Sequence, residues 1–217
     1  FLHPHRTGGS RFKKVVSDTL GRDPLYSYQT QKTRYKDWGV VEESDLKHFS
    51  WYAGHSSFCL KKDWSRQVFY IATLRDPVYR TFSFYHHCRD RPDHKLSALA
   101  NRTSVEEFVI QGSKKMPKYF GNLICLRIGG EPLFETAATV SSEHYLALVE
   151  MNSLREFFKD FSNLLDVDFV LPEKMLDDEV RHRASISDHF VELVGHYAPE
   201  DVKFYNWFKE NGLGFVS

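Results

Sequence analysis

Val68-Phe69-Tyr70-Ile71-Ala72-Thr73-Leu74-Arg75-Asp76-Pro77-Val78-Tyr79-Arg80-Thr81-Phe82-Ser83 is the stretch that decides the fold. Residues 68–74 run apolar, aromatic and β-branched with no polar alternation. That is the pattern of a strand buried on both faces of a parallel sheet. Asp76-Pro77 then opens a helix: the carboxylate caps orphan amides, and Pro has no N–H to lose at the first helical position. Val78, Phe82 and Tyr85 follow at helical spacing. A buried strand running at once into a helix is the repeating unit of an α/β protein.

The same order recurs on either side. Residues 1–4 read as the tail of a strand, and 10–20 as a helix with Phe12, Val15, Val16 and Leu20 near one face, stopped by Gly21. Residues 22–37 are polar and Tyr-rich, a loop or irregular hairpin. Residues 42–48 suggest a short helix and 49–52 a short strand, with Gly54-His55 after it. Beyond Ser83, residues 89–103 form a polar excursion. Ser104 with Glu107 is a capping-box pattern for a helix to about Gln111. A strand is expected at 145–149 and an amphipathic helix at 153–165, with Leu154, Phe157, Phe158 and Phe161 on its stripe. Helices at about 187–197 and Pro199–Asn211 close the chain, the last ended by Gly212. Alternating strands and helices predict a central parallel sheet flanked by helices, one domain over residues 1–217. Ligands of such sheets bind outside the carboxyl ends of the strands, where strand order reverses.

The bulk numbers narrow the function. The chain has 217 residues, 41% hydrophobic and 15% aromatic, which is globular composition. Lys+Arg and Asp+Glu are both 29, a zero formal charge that argues against a general nucleic-acid or anionic-membrane binder. No run approaches the ~18–20 apolar residues of a membrane span, and no signal peptide is seen. The 3 cysteines (Cys59, Cys88, Cys125) cannot all pair with one another. Compact length and the odd cysteine count favour a bacterial cytoplasmic protein. A Golgi lumenal domain is the alternative, and Asn101-Arg102-Thr103 is a glycosylation sequon.

Two segments ask for phosphate. In Arg6-Thr7-Gly8-Gly9-Ser10-Arg11 the glycines let backbone approach a ligand, and the amides opening the next helix favour an anion. Arg6 and the hydroxyls of Thr7 and Ser10 add donors. Arg75 ends a strand, and Ser83 lies eight residues on, about two helical turns, so both reach one phosphate. The plainer alternative is that Arg75 pairs with a carboxylate and Ser83 packs.

Taken together, these segments resemble the sulfotransferases that use 3′-phosphoadenosine 5′-phosphosulfate (PAPS). In that family a P-K/R-x-G-x-T/S loop holds the 5′-phosphosulfate, and an R-D-P-x-x-R-x-x-S segment holds the 3′-phosphate. Here they read Arg6-Thr7-Gly8-Gly9-Ser10 and Arg75-Asp76-Pro77-Val78-Tyr79-Arg80-Thr81-Phe82-Ser83. The heparan sulfate O-sulfotransferase branch is closer, with its H-x-P-K-T-G-G-T loop; His5 stands here for the usual Pro and Arg6 for the usual Lys. Gly54-His55 matches the branch's Gly-His pair, whose His is its proposed base. The segment 119–130 and Asp201-Val202-Lys203-Phe204-Tyr205 agree weakly with the family's later half.

The resemblance implies a three-layer P-loop-like α/β domain and a metal-free O-sulfotransferase. Arg6, Thr7, Gly8, Gly9, Ser10 and Arg11 would hold the 5′ end of PAPS, and Arg75 and Ser83 the 3′-phosphate. His55 would take the acceptor's proton, with Arg6 stabilising charge on the leaving group; His3, His5, His86 and His87 are rival bases. The product would be 3′-phosphoadenosine 5′-phosphate, and the acceptor hydroxyl would lie on a glycan. Residues 22–37, with Trp38 after them, and 89–103 mix aromatic and basic side chains and are candidates for holding it. Two other functions stay open: a glycan-binding module with lost chemistry, and a phosphoryl transferase. The chain lacks G-x-x-x-x-G-K-[ST] and a clear Mg²⁺ carboxylate set for the latter.

Overall fold

The computed structural model describes residues 1–21, 25–27, 51–55, 58, 68–172 and 186–212, with backbone alone at 25–27 and 52. The expected helix at 42–48, most of 22–37 and Cys59 lie outside the described residues. The described strands are β1 (Leu25–Ser27), β2 (Trp51–Ala53), β3 (Tyr70–Leu74) and β4 (Tyr145–Glu150). The described helices are α1 (Gly9–Leu20), α2 (Pro77–Arg89), α3 (Ser97–Arg102), α4 (Val105–Lys115), α5 (Pro117–Phe120), α6 (Leu123–Gly129), α7 (Phe134–His144), α8 (Leu154–Leu165), α9 (Asp188–Tyr197) and α10 (Pro199–Asn211).

β1 pairs with β2 and β3 with β4, both in parallel. Leu2 lies between the pairs, with parallel bridges to Gly54 just past β2 and to Ala72 in β3. Leu2 N donates to Ile71 O (2.9 Å), His3 N to Gly54 O and Gly54 N to Phe1 O (3.2 Å each). The chain is α/β, and all strand pairing among the described residues is parallel. Residues 25–27 therefore extend a parallel pair, not a hairpin.

Alternation along β3 and β4 sends side chains to two clusters. Ile71, Ala147 and Val149 meet Phe12, Val15 and Val16 of α1 and Phe157, Phe158 and Phe161 of α8. Ala72, Leu74 and Leu148 meet Ile124 and Ile128 of α6, Val140 of α7 and Phe204 of α10. A third cluster joins Phe82, Phe84 and Tyr85 of α2 to Leu99, Phe108, Phe120 and Phe190. Burying each such side chain contributes ~1.5–3 kcal/mol relative to exposure. The α2–α4–α9 cluster fixes the helix that carries Ser83.

Local caps behave as their chemistry dictates. Asp76 Oδ1 accepts from Val78 N (2.7 Å), Ser104 Oγ from Glu107 N (3.2 Å) and Ser187 Oγ from Phe190 N (3.1 Å). Gly212 ends α10 at φ 51°. α4 runs past Gln111 to Lys115, and the polar excursion 89–103 contains α3. α7 carries no local capping side chain; Phe134 N donates instead to Glu200 Oε2 (3.2 Å). α6 and α10 cap each other. Asp201 accepts from Ile124 N (2.9 Å) and Cys125 N (2.8 Å), while Asn122 Oδ1 accepts from Glu200 N (3.0 Å) and Asp201 N (3.3 Å). The two weakly matching late segments thus meet as a structural clamp. Burial pushes the Asp201 carboxyl up to about 6 against the pull of Arg80.

Among the described residues no helix is long and apolar enough to cross a membrane. Cys88 and Cys125 are buried free thiols. Removing the buried double cap, Asp201→Ala, is expected to lower unfolding free energy by roughly 3 kcal/mol, since it strands two amides and Arg80. Asp76→Ala is expected to cost about 1 kcal/mol, as an ordinary cap does. Urea titration of both variants checks the order; an equal loss would remove Asp201 from its role.

Candidate anion-binding site

The loop between Leu2 and α1 crosses the carboxyl ends of β3 and β4. Thr7 is fully buried; its hydroxyl donates to Pro4 O (2.9 Å) and lies 3.1 Å from Thr73 Oγ1. That hydroxyl ties the loop to β3 and is not the ligand donor expected from sequence. Gly8 has φ 91°, and an added Cβ would fall 2.7 Å from Met151 Cγ. At Gly9 a Cβ would fall 1.9 Å from the His3 ring. The glycines therefore make room for protein side chains as well as for any ligand. Arg11 N and Phe12 N turn back to Gly8 O (2.9 and 3.1 Å), leaving the amides ahead of them at the open end of α1. No side chain caps that end, and its first turn holds no acid.

Arg6, at φ 70°, reaches across to α2. Its Nε donates to Ser83 Oγ (3.0 Å), and Nη1 lies 3.4 Å from His87 Nδ1. Arg75 follows β3, is 3% exposed, and its Nη1 approaches Arg6 O at 3.5 Å. Arg6, Arg75 and Ser83 are thus brought together from segments some 70 residues apart. Arg80, the other arginine of the Arg75–Ser83 motif, points elsewhere. It is fully buried and gives both terminal nitrogens to Tyr119 O (3.2 Å each).

His55 follows β2 and meets two other histidines. Its Nδ1 is 2.9 Å from His3 O; a carbonyl only accepts, so Nδ1 carries the proton and Nε2 keeps its lone pair. The His5 ring stacks on it at 3.8 Å and 22°, and the His3 ring lies 4.2 Å away. Burial, with Lys13 and Arg127 adding to it, pushes His55 down to about 4. Burial and the neighbouring His55 push His5 to about 2 and hold His3 well below its usual range. All three are neutral at neutral pH. Among the rival bases, His86 packs its ring against Phe82 and Tyr85, and His87 is the partner of Arg6.

These groups line one cleft of about 560 Å³. Arg6, Arg11, Arg75 and Arg91 face it, with His3, His5, His55, His87 and His94, and no Asp or Glu among the described lining residues. Gly8, Gly9 and Ser10 border it as well. Such a wall attracts an anion strongly, and a bound anion would in turn raise the histidines. Phe84, Tyr119 and Met151 also line it, and Phe84 and Met151 were not marked as site residues by sequence. Among the described residues no three His, Cys, Asp or Glu side chains group to hold a metal ion.

Compared with models of known protein families, the chain matches none, and no curated protein matches it significantly.

His55 is expected to titrate near pH 4 in ring-proton NMR of the free protein, not near 6.5. Because its folded value is lowered, the unfolded chain takes up the proton first. Stability is therefore fully present above about 6.5 and lost as pH falls toward 4. The melting temperature should drop over that window, and drop less in His55→Gln. A midpoint near 6.5 would show that His55 is not desolvated.

Proposed function

We propose that the protein is a sulfotransferase that moves the sulfuryl group of PAPS to an acceptor hydroxyl, on a glycan. The observation that carries this is the meeting of Arg6 and Arg75 in a cleft that also holds His55 and has no carboxylate among its described lining residues, with Ser83 hydrogen-bonded to Arg6. These residues come from the three segments whose motifs resemble that family. The parallel strands with helix-bearing clusters on both faces of β3 and β4 are what a three-layer P-loop-like domain requires. Nucleotide phosphates need several fixed donors and no competing acid, which this wall supplies.

The loop amides from Thr7 to Ser10, with Arg6 and Arg11, bind the 5′-phosphosulfate. Arg75 and Ser83 bind the 3′-phosphate. The acceptor oxygen attacks sulfur in line as the bond from sulfur to the phosphate oxygen breaks. His55 Nε2 accepts the hydroxyl proton, and the anionic donor beside it raises its basicity from the low value of the free protein. Arg6 and the amides stabilise the charge left on the phosphate oxygen.

Titration calorimetry with 3′-phosphoadenosine 5′-phosphate tests the nucleotide site. Binding should be independent of Mg²⁺ and weaken by at least ~10-fold in Arg75→Ala and Ser83→Ala. Unchanged affinity in both variants would sink the assignment. Preference for ATP with Mg²⁺ would instead indicate phosphoryl transfer, and absence of any nucleotide binding a glycan-binding module. His55→Ala should keep nucleotide affinity and lose turnover by ~10²-fold or more in a radiolabelled PAPS assay across glycan acceptors. Near-normal turnover would move the base elsewhere.

A further inference from the structure

Arg6 donates to two groups on α2 that can each both donate and accept. A guanidinium has five N–H donors and no acceptor. Where Arg6 Nε meets Ser83 Oγ at 3.0 Å, the serine must accept, so its own proton is turned elsewhere. Where Arg6 Nη1 meets His87 Nδ1 at 3.4 Å, that nitrogen must present its lone pair. The neutral ring then carries its proton on Nε2. One arginine thus fixes a hydroxyl and an imidazole, one helical turn apart on the same face, as donors. His87 borders the cleft, as does Arg91 just past the end of α2.

We propose that His87 is a third ligand of the 3′-phosphate, donating from Nε2 beside Ser83 and Arg75, with Arg6 as the residue that sets its tautomer. This rests on the reading of the cleft as a PAPS site and adds a contact to it. The four-residue spacing from Ser83 to His87 puts the two donors on one helical face about 6 Å apart along the axis, close enough for both to reach oxygens of one phosphate. Burial, Arg6, Arg91 and His94 all disfavour a charged His87, while Asp90 favours it. The ring therefore stays neutral, and its Nε2–H faces a bound dianion together with the guanidiniums of Arg6, Arg75 and Arg91.

His55 is the mirror case. Its Nδ1 gives its proton to the His3 carbonyl, so Nε2 accepts. Backbone fixes one cleft histidine as an acceptor, and a guanidinium fixes another as a donor.

Two measurements test the proposal on the intact chain. In the ligand-free protein, ¹⁵N chemical shifts should show His87 as the Nε2–H tautomer, and Arg6→Met should release it to a mixture. A predominant Nδ1–H form in the wild type would overturn the proposal. Calorimetry then compares 3′-phosphoadenosine 5′-phosphate with adenosine 5′-phosphate. His87→Phe keeps the ring but loses the donor, and should weaken the bisphosphate by about 10–100-fold while leaving the monophosphate unchanged. His87→Gln, whose side-chain amide offers a donor near the Nε2 position, should recover most of the loss. Equal affinity of wild type and His87→Phe for the bisphosphate would overturn the role of His87 and leave the PAPS site standing. An equal loss for both nucleotides would also overturn it, since the contact would not be to the 3′-phosphate. If the wild type binds neither nucleotide, the PAPS reading fails and this proposal falls with it.

Discussion

The insertion of residues 1–3 between the ends of β2 and β3 holds the site together. Leu2 N to Ile71 O, His3 N to Gly54 O and Gly54 N to Phe1 O are three backbone bonds, and they join two strand pairs that have no other described pairing. Their consequences are geometric. The chain must leave the sheet at Pro4, so the loop to α1 crosses the ends of the strands. The His3 carbonyl is held where the His55 ring can donate to it. Arg75, the first residue after β3, comes out beside Arg6. Slipping that pairing by one residue would turn Leu2 out of its cluster and the His3 carbonyl away from His55.

A cleft with four arginines and five histidines and no described carboxylate is electrostatically unfavourable when empty. The protein limits the cost in two ways. Burial keeps the histidines neutral, so the charge is carried by the guanidiniums alone. Arg6 then disperses part of its charge into Ser83 and His87, each of which can accept. Such preorganised donors sacrifice stability for function, because no reorganisation is needed when the anion enters. Net charge gave no hint of this, since Asp and Glu number 29 in the whole chain and equal Lys and Arg.

What could be read from the sequence was what local chemistry encodes. Asp76-Pro77, Ser104 and Gly212 mark helix ends because a cap acts within three or four residues of itself, and all three act as read. α7 was not legible, because its first turn is capped by Glu200, 66 positions away. Asn122 and Asp201 looked like scattered family likenesses and are a reciprocal cap. The site divides in the same way. The residue types were visible as motifs, but the direction of each side chain was not. Thr7 faces β3, Arg80 faces Tyr119, and Arg6 reaches α2 only because the sheet brings position 6 against position 83.

The two positions at which the loop departs from the pattern it resembles share a geometric feature. A Pro at position 5 would lack the ring that stacks on His55 at 3.8 Å and shields it from water. A Lys at position 6 would offer a single nitrogen and could not hold Ser83 and His87 in fixed directions at once, whereas the planar fork of Arg does both. Each departure thus acts on a histidine: His5 on the one that accepts, Arg6 on the one that donates. Both contact histidines that line the cleft: His5 stacks on His55, whose tautomer the His3 carbonyl sets, and Arg6 itself sets that of His87.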